Sequence, residues 1–495
     1  MNRNSHCPRR LTCILAVVFL ALSPVLGHAA QTYYVGPGGN DSNPGTEAQP
    51  FRQVRKAVSL VQAGDKALVA DGSYLGFDVF DKIGTAVAPI TIRALGTNAV
   101  VTKTTDRGDN RDTIHISDCE HLIVDGFRSF NGNRAGLRVQ GGHHVSVRNC
   151  VFGDNATWGL FTGFSEHLLI ENNECYGSTN EHGIYVSNSA DNPVLRGNRC
   201  WSNGGGGIQL NADINTPPGD GIITNALIEG NVLYDNGRRG GGALNLDGIQ
   251  YSVVRNNLLF NNHASGIIFF QIDGGDGPRG NQVYHNTIDM AADGRWALNF
   301  LQTTGLNTVR NNILLTRHSF RGGLRFGSPA DAANTDSDYN LVTRITPDDS
   351  AVLTLAEWQA LGNEPHSVSG TLVSVFVNAD AGNYGLAGNS PALNTAQLLA
   401  SVPTDIEGSM RPWGAAADIG AYEQSPPLLG FRMLTDGRRA VRLTGGAGQT
   451  VYFDTSSALP NWSLGSPLVR SNRPIEHLDA TSAVDQRFFR ARLQP

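Results

Sequence analysis

His182 and Tyr185 are the residues whose types and spacing best suit acid–base chemistry in this sequence. An imidazole has an unperturbed pKa of about 6.5, which makes His182 a candidate general base near neutral pH. The phenol of Tyr185 could donate a proton or offer a flat surface for stacking. Arg138 adds a guanidinium that could hold a carboxylate. This set predicts removal of a proton next to a carboxylate; in the alternative, His182 is a turn residue that bonds a neighbouring backbone group.

Six further polar residues could bind a chain rich in hydroxyl groups around these three. Amides and carboxylates form hydrogen bonds with hydroxyls, and their number suits an extended ligand. The candidate binding residues are Glu181, Gln209, Asn211, Asp213, Asn245 and Asp247. The alternative is a solvated face, because outward positions on a soluble repeat protein are usually polar. As outward residues, His182 and Tyr185 would contribute almost nothing to folding.

Asp213 and Asp247 support a second chemistry, hydrolysis by two carboxylates. On neighbouring repeat units they would lie roughly 5–10 Å apart, which is the span used by glycosidases. In the alternative, both carboxylates cap backbone N–H groups of loops.

No metal or cofactor is assigned by the sequence, although Ca²⁺ is compatible with one segment. Asp273-Gly-Gly-Asp276-Gly277 has a composition that a Ca²⁺ loop could have, but the composition favours the alternative, a plain glycine-rich insertion. Lysine is excluded as a base in the central part of the chain, because no lysine follows Lys103. Four cysteines could pair or could pack as a buried column: Cys119, Cys150, Cys175 and Cys200.

A repeat of about 25 residues must position these side chains. Short aliphatic runs end in asparagine at 173, 198, 231, 257, 286 and 312, and strand-length segments opened by glycine lie between them. Such strands can bury their apolar sides only by stacking into parallel sheets around one core. The sequence therefore predicts an all-β fold, a right-handed parallel β-helix of roughly eight to eleven coils. The repeated asparagine is expected to take the left-handed backbone conformation at a corner and to hydrogen-bond along the axis.

The flanking segments predict five regions. Residues 51–62 carry apolar side chains at 54, 57, 58 and 61, which indicates an amphipathic helix that caps the core. After Ser425-Pro-Pro the asparagine corners end and short alternating strands begin, which favours a small C-terminal β-sandwich. The predicted regions are a signal peptide at 1–30, the cap and first coils at 31–112, central coils at 113–345, irregular terminal coils at 346–424 and the sandwich at 425–495.

The N-terminus and the charge balance indicate an exported protein. Residues 1–30 combine three arginines, the apolar run Leu11–Leu26 and a small-residue cleavage zone. Without them the 38 basic residues fall to 35 against 44 acidic ones, a net charge of −9. An acidic protein of this kind disfavours nucleic acid as a partner, and no later segment is apolar enough to span a membrane. We expect a monomer secreted to the periplasm or the extracellular space.

Segments at both ends of the predicted β-helix resemble secreted proteins of the pectate lyase superfamily. The first is Tyr33-Tyr-Val-Gly-Pro-Gly-Gly-Asn-Asp-Ser-Asn-Pro-Gly-Thr46 with Asp71-Gly-Ser-Tyr74. The second includes Asn383-Tyr-Gly-Leu386, Ser390-Pro-Ala-Leu393 and Asp418-Ile-Gly-Ala-Tyr-Glu423. Asn461-Trp462 and Arg487-Phe-Phe-Arg490 are similar to small β-sandwiches appended to such proteins.

The resemblance implies a fold and leaves the chemistry open, because the fold carries lyases, hydrolases, epimerases and non-catalytic proteins. Its lyases commonly use Lys or Arg as the base, with Ca²⁺ on acidic clusters, and residues 113–325 contain no Asp-Asp pair. Asn211-Ala-Asp213 is similar to an element of polygalacturonases, whose Asp-Asp and Gly-His-Gly elements are absent from residues 113–325. We expect a lyase or epimerase-like enzyme acting on an acidic polysaccharide; the alternatives are a two-carboxylate glycoside hydrolase and a non-catalytic glycan-binding protein.

Overall fold

Three long sheets lie side by side, and their strands come from successive coils of the chain. The computed structural model describes residues 28–104, 111–426, 428–433, 439–445, 450–458, 460–465, 467–469, 475–479 and 488–493. The sheets hold 12, 12 and 11 strands, and each coil adds one short strand to each of them. Within the coils every strand pairs in parallel with its equivalents in the coils before and after it. The predicted right-handed parallel β-helix is confirmed.

The sheets are numbered here by the order in which a coil visits them. Sheet 1 comprises Phe77–Phe80, Ile114–Ser117, Ala135–Gln140, Trp158–Gly163, Ile184–Ser187, Ile208–Asn211, Gly242–Asp247, Ser265–Phe270, Leu298–Phe300, Leu324–Phe326, Arg344–Thr346 and the antiparallel Leu353–Thr354. Sheet 2 comprises Thr32–Val35, Lys66–Val69, Ile90–Ala94, Leu122–Asp125, Ser146–Arg148, Leu169–Glu171, Val194–Arg196, Leu227–Glu229, Val253–Arg255, Gln282–Tyr284, Asn307–Arg310 and Thr335–Asp338. Sheet 3 comprises Gly72–Tyr74, Ala99–Val101, Arg128–Phe130, Val151–Gly153, Glu174–Tyr176, Arg199–Trp201, Val232–Tyr234, Leu258–Phe260, Thr287–Met290, Ile313–Thr316 and Leu341–Val342. A further short parallel pair joins Ile223–Thr224 to Ile249–Gln250.

The repeated asparagines form a buried amide ladder at the corner between sheets 2 and 3. The Nδ2 atom of Asn198 donates to Oδ1 of Asn231 at 3.0 Å, and Asn231 donates to Asn257 at 3.0 Å. The predicted hydrogen bonding along the axis is therefore confirmed. The prediction of the backbone conformation was wrong by one residue. The left-handed conformation belongs to the preceding position, such as Asn172 or Asn256, so that the ladder asparagine can point inward.

A helix at Val54–Leu60 lies within the range predicted for the cap. Val54, Ala57 and Val58 are buried and join the apolar core of the first coils, as does Val61 directly after the helix. The apolar spacing 54, 57, 58 and 61 places these side chains on one helical face, which explains why the segment packs onto the core.

Residues after 346 leave the parallel coils. Leu355 and Trp358 still pack on the main core, and the segment from Val368 onward folds back over sheet 3. They contain the helices Leu355–Ala360 and Leu372–Val375, the 3₁₀ turn Ala379–Ala381 and an antiparallel strand pair, and the earlier helix Pro329–Ala333 precedes them. The strand pair is Phe376–Asn378 with Asn383–Leu386. Apolar side chains of this segment form a second core with outward residues of sheet 3, including Leu258 and Ile313. One side of the β-helix is covered in this way.

The described C-terminal strands form two small antiparallel sheets. The first consists of Leu428–Met433, Arg439–Thr444 and Ile475–Asp479. The second consists of Thr450–Ala458, Asn461–Ser463, Pro467–Val469 and Phe488–Leu493. Rings from both sheets meet, with the centroids of Phe431 and Phe489 6.0 Å apart. This arrangement is compatible with the predicted sandwich, which stays a prediction.

Two other sequence predictions concern the N-terminus and the cysteines. Residues 1–27 of the predicted signal peptide lie outside the described residues. Cys119, Cys150, Cys175 and Cys200 are all buried as free thiols, and Cys175 pairs in register with Cys200 on the next coil. Of the helices described, none combines the length and the apolar character that a membrane crossing requires.

Candidate functional site

The outer face of sheet 1 carries an aligned row of side chains. Arg138, Phe161, Tyr185, Gln209 and Asn245 occupy the same position on five successive coils. Residues on either side of each point into the core, as Leu137 and Val139 do beside Arg138. Coils stack about 4.8 Å apart, so the row is close to 20 Å long. The structure thus brings together the predicted strand residues of the site.

Aromatic rings cover the middle of this row. The rings of Trp158 and Phe161 stack with centroids 4.4 Å apart, and Tyr185 lies 5.5 Å from Phe161. His182 meets the edge of Tyr185 at 5.5 Å. Glu181 accepts a hydrogen bond from the indole Nε1 of Trp158 at 2.8 Å, and therefore orients that ring. We call Trp158, Phe161, Tyr185 and His182 the aromatic cluster.

His182 is held by the backbone of the following coil. Its Nδ1 atom accepts a hydrogen bond from the backbone N–H of Gly206 at 2.8 Å. Burial lowers the pKa of His182 to about 4, so the ring is neutral at pH 7. With Nδ1 engaged as the acceptor, the proton of the neutral ring sits on Nε2. The expectation that His182 plays almost no role in folding does not fit this contact.

Tyr185 lies between the aromatic cluster and a polar group on the next coil. Its hydroxyl oxygen accepts a hydrogen bond from Nδ2 of Asn211 at 3.1 Å. Burial raises the pKa of Tyr185 to about 12, which keeps the phenol protonated. The same Nδ2 also donates to Asp273 at 3.2 Å. The hydroxyl hydrogen of Tyr185 can therefore be donated to a bound molecule.

Arg138 contacts two uncharged side chains at one end of the aromatic cluster. Its guanidinium lies over the ring of Phe161, 5.7 Å from the centroid, and Nη2 donates to Oε1 of Gln140 at 2.8 Å. A carboxylate bound above Phe161 would lie beside this cation.

Three binding residues predicted to face outward are buried. Asn211, Asn245 and Asp247 retain 6%, 8% and 1% of their surface. Loop 271–280 closes over Asp247, whose carboxylate accepts backbone N–H groups from Ile272, Asp273 and Gly274. Asn245 donates to Oε1 of Gln209 at 2.7 Å. Loop 271–280, which a strand pattern does not describe, covers Asp247 and contacts Asn211 through Asp273.

Asp213 and Asp247, the two carboxylates that could support hydrolysis, both accept hydrogen bonds from loop backbone groups. Asp247 binds loop 271–280 as described, and burial raises its pKa. Asp213 accepts from the backbone N–H of Asn215 at 2.8 Å and from the hydroxyl of Thr216. These contacts match the alternative in which both residues cap loop N–H groups.

In the part of the chain described, both carboxylates of the glycine-rich segment 273–277 already have partners. Asp276 pairs with Arg279 at 3.0 Å, and Asp273 accepts from Asn211. A nearby guanidinium opposes a bound cation. Ca²⁺ at this loop therefore has little support from its surroundings.

Sequence reasoning missed Trp158 and Asp273 as members of the site. Trp158 stands directly before Gly159 and therefore lies outside the alternating pattern that begins at each glycine, although it opens the strand Trp158–Gly163. A search for aromatic residues at both ends of the glycine-led strands would have found it. The contact of Asp273 spans 62 residues and had no local signal.

The fold defines a class of protein, the right-handed parallel β-helix, and within this class the chain is similar to pectate lyases. The crystal structure of the pectate lyase Pel9A matches with a TM-score of 0.54 and 16% identity, covering 80% of this chain and 97% of that one. This likeness shows the fold.

Two characterised sequences and two family profiles match shorter stretches. The pectate lyase PEL9 of Emericella nidulans is 26% identical over 216 residues, 39% of this chain and 52% of that protein. The mannuronan C5-epimerase AlgE5 of Azotobacter vinelandii is 29% identical over 121 residues, 24% of this chain and 11% of that protein. The chain thus spans about half the length of the first relative. The family profile "Periplasmic copper-binding protein (NosD)" matches residues 84–262, and "Protein of unknown function (DUF1565)" matches residues 37–92.

Proposed function

We propose that this protein is an exported enzyme that acts on an acidic polysaccharide at the outer face of sheet 1, as a lyase or an epimerase-like enzyme. The alignment of Arg138, Phe161 and Tyr185 on successive coils is the observation that carries the proposal. Flat rings stack on the apolar faces of sugars, and a guanidinium pairs with a uronate carboxylate. The names of the pectate lyase and mannuronan epimerase relatives support an acidic substrate.

Arg138 would hold the uronate carboxylate and stabilise the charge that develops on it. A base removes the proton on the carbon next to the carboxylate, and the electron pair moves into the carboxylate as an enolate. In a lyase the pair returns to form a carbon–carbon double bond as the glycosidic oxygen leaves with a proton. In an epimerase a proton is instead returned to the opposite face of the same carbon.

His182 is the proposed base and Tyr185 the proposed proton donor. Tyr185 retains a hydroxyl hydrogen to donate, because its oxygen accepts from Asn211 and its pKa is raised. His182 must release the N–H of Gly206 before Nδ1 can accept a proton. The proposal therefore requires a side-chain rearrangement when substrate binds.

Glu181, Gln209, Asn211, Asp213, Asn245 and Asp247 are proposed to shape the binding face. Glu181 does so by orienting Trp158, and Gln209 offers its amide beside Tyr185 on the next coil. The buried Asn211, Asn245 and Asp247 would act through their neighbours, by fixing Tyr185, Gln209 and loop 271–280.

A substrate panel tests this proposal. Polygalacturonate, alginate and a neutral glucan are incubated with the protein, and ultraviolet absorbance reports unsaturated uronates while reducing ends are measured in parallel. We expect absorbance with an acidic polymer, or a changed uronate composition by NMR for an epimerase. Tyr185→Phe should reduce turnover at least about tenfold, whereas Tyr251→Phe, at an exposed corner of sheet 2, should not.

Three outcomes would contradict the proposal. Reducing ends without absorbance would indicate a hydrolase, and binding without turnover would indicate a non-catalytic glycan-binding protein. Turnover that Tyr185→Phe leaves unchanged would place the reaction elsewhere on the protein.

A further inference from the structure

Four histidines gather at the corner between sheets 1 and 2, away from the proposed chemistry. His121, His144 and His167 occupy the same left-handed position on three successive coils, with φ of 49°, 54° and 52°. Their rings stack, with centroids 4.6 Å apart in each step. His143 lies beside them, with its centroid 4.4 Å from that of His144 and 5.2 Å from that of His167.

A second row, of alternating glutamate and histidine side chains, runs next to the stacked rings. Glu120, His143 and Glu166 pair in register on the same three coils. The Nδ1 atom of His143 lies 3.7 Å from Oε1 of Glu120, and its Nε2 atom lies 4.0 Å from Oε2 of Glu166. The corner thus presents imidazole nitrogens bordered by two carboxylates.

The geometry points to a binding site for a late first-row divalent metal ion such as Zn²⁺, held by His143, His144 and His167. One ligand nitrogen from each of these residues lies within 4.8 Å of the other two. Around a tetrahedral Zn²⁺ the nitrogens would be about 3.4 Å apart, given Zn–N bonds of about 2.05 Å. A small rotation of the side chains closes this gap, since the side chain of His143 is 44% exposed.

The ligand type and the surrounding charge both favour such an ion. Neutral imidazole prefers Zn²⁺ and its neighbours in the periodic table, whereas Ca²⁺ prefers oxygen ligands. Glu120 and Glu166 lower the local potential and can fix the orientation of His143.

Isothermal titration of the untagged protein with Zn²⁺ tests the site. We expect one ion bound per chain at this corner, with no displacement by excess Ca²⁺. The double substitution His144→Asn and His167→Asn should weaken binding at least about a hundredfold, because two of three ligands are lost. Asparagine suits this backbone conformation, and Asn192 and Asn225 occupy the equivalent corner on the next two coils.

Two further variants complete the test. His143→Ala removes a ligand that is not one of the three stacked rings and should weaken binding to a similar extent. His366→Ala removes an exposed histidine that pairs with Asp338 elsewhere and should leave binding unchanged. Absence of Zn²⁺ binding, or binding that survives the changes at 143, 144 and 167, would overturn the assignment and make the stacked rings a purely structural ladder.

Discussion

The Nδ1 atom of His182 lies 2.8 Å from the backbone nitrogen of Gly206, one coil further along the β-helix. Gly206 has no space for a side chain, because an added Cβ would lie 2.1 Å from the carbonyl oxygen of Gly242. The imidazole is therefore hydrogen-bonded to a backbone segment that is closely packed against the next coil. This contact gives His182 a structural role in addition to any part in catalysis.

Two substitutions at His182 separate these roles. His182→Asn places an oxygen acceptor near the position of Nδ1, whereas His182→Ala leaves the Gly206 N–H without its partner. We expect His182→Ala to lower the free energy of unfolding by about 1–3 kcal/mol and His182→Asn by less. If His182 is the base, both variants lose at least about a hundredfold in turnover. An active His182→Asn enzyme would instead assign the residue a positioning role only.

The lowered pKa of His182 predicts a pH dependence of stability. The folded protein holds this pKa at about 4, below the unfolded value of 6.5, so folding favours the neutral ring. Above pH 6.5 both states are neutral and the contribution is constant. As the pH falls from 6.5 towards 4, the unfolded state binds the proton first and stability falls by about 1.4 kcal/mol per pH unit.

Denaturant unfolding of the wild type and of His182→Asn between pH 4 and 8 measures this contribution. The difference between the two proteins should shrink as the pH falls, since the variant lacks the titrating ring. Comparison with the variant is needed because burial raises the pKa of Asp289 and Glu364, which gives the opposite slope. A difference that stays constant over this range would show that His182 titrates normally.

The aromatic cluster predicts where a polysaccharide binds. Trp158→Ala removes the ring stacked on Phe161 and should weaken binding of the preferred polymer at least about fivefold, the equivalent of about 1 kcal/mol. Glu181→Gln keeps the size of the side chain that accepts from the indole and should have a smaller effect. Affinity electrophoresis with the substrate polymer measures both. The matched control is Trp413→Ala, a half-exposed tryptophan in the segment that follows the coils.

The amide ladder predicts a large loss of stability from a single substitution. Asn231 donates to Leu195 and Asn257 and accepts from the backbone and side chain of Asn198. Asn231→Ala leaves several buried groups without partners and should reduce the free energy of unfolding by about 3 kcal/mol or more. Chemical denaturation reports this loss, and Asn215→Ala at an exposed loop position should change it by under about 0.5 kcal/mol. Equal stability of the two variants would contradict the ladder's role.

The sequence by itself determined the architecture. The asparagines that recur from 173 to 312, with glycine-led strands between them, predict a parallel β-helix, because short strands of this kind bury their apolar sides only by stacking. The same periodicity predicts that Arg138, Phe161, Tyr185 and Gln209 lie in one row, because residues at the same position of successive repeats become neighbours when the coils stack in register.

Only the tertiary structure decided what covers that row and which partners each polar group finds. The strand pattern predicts an exposed carboxylate at Asp247. In the structure loop 271–280 buries it, and three backbone N–H groups of that loop donate to the carboxylate. The left-handed conformation falls at Asn172 rather than Asn173, because the ladder amide must point inward. The sequence gives no signal that the four histidines at 121, 143, 144 and 167 form a cluster, because the cluster is made by contacts between coils. Insertions and cross-coil contacts have no period, and for that reason the repeat could not predict them.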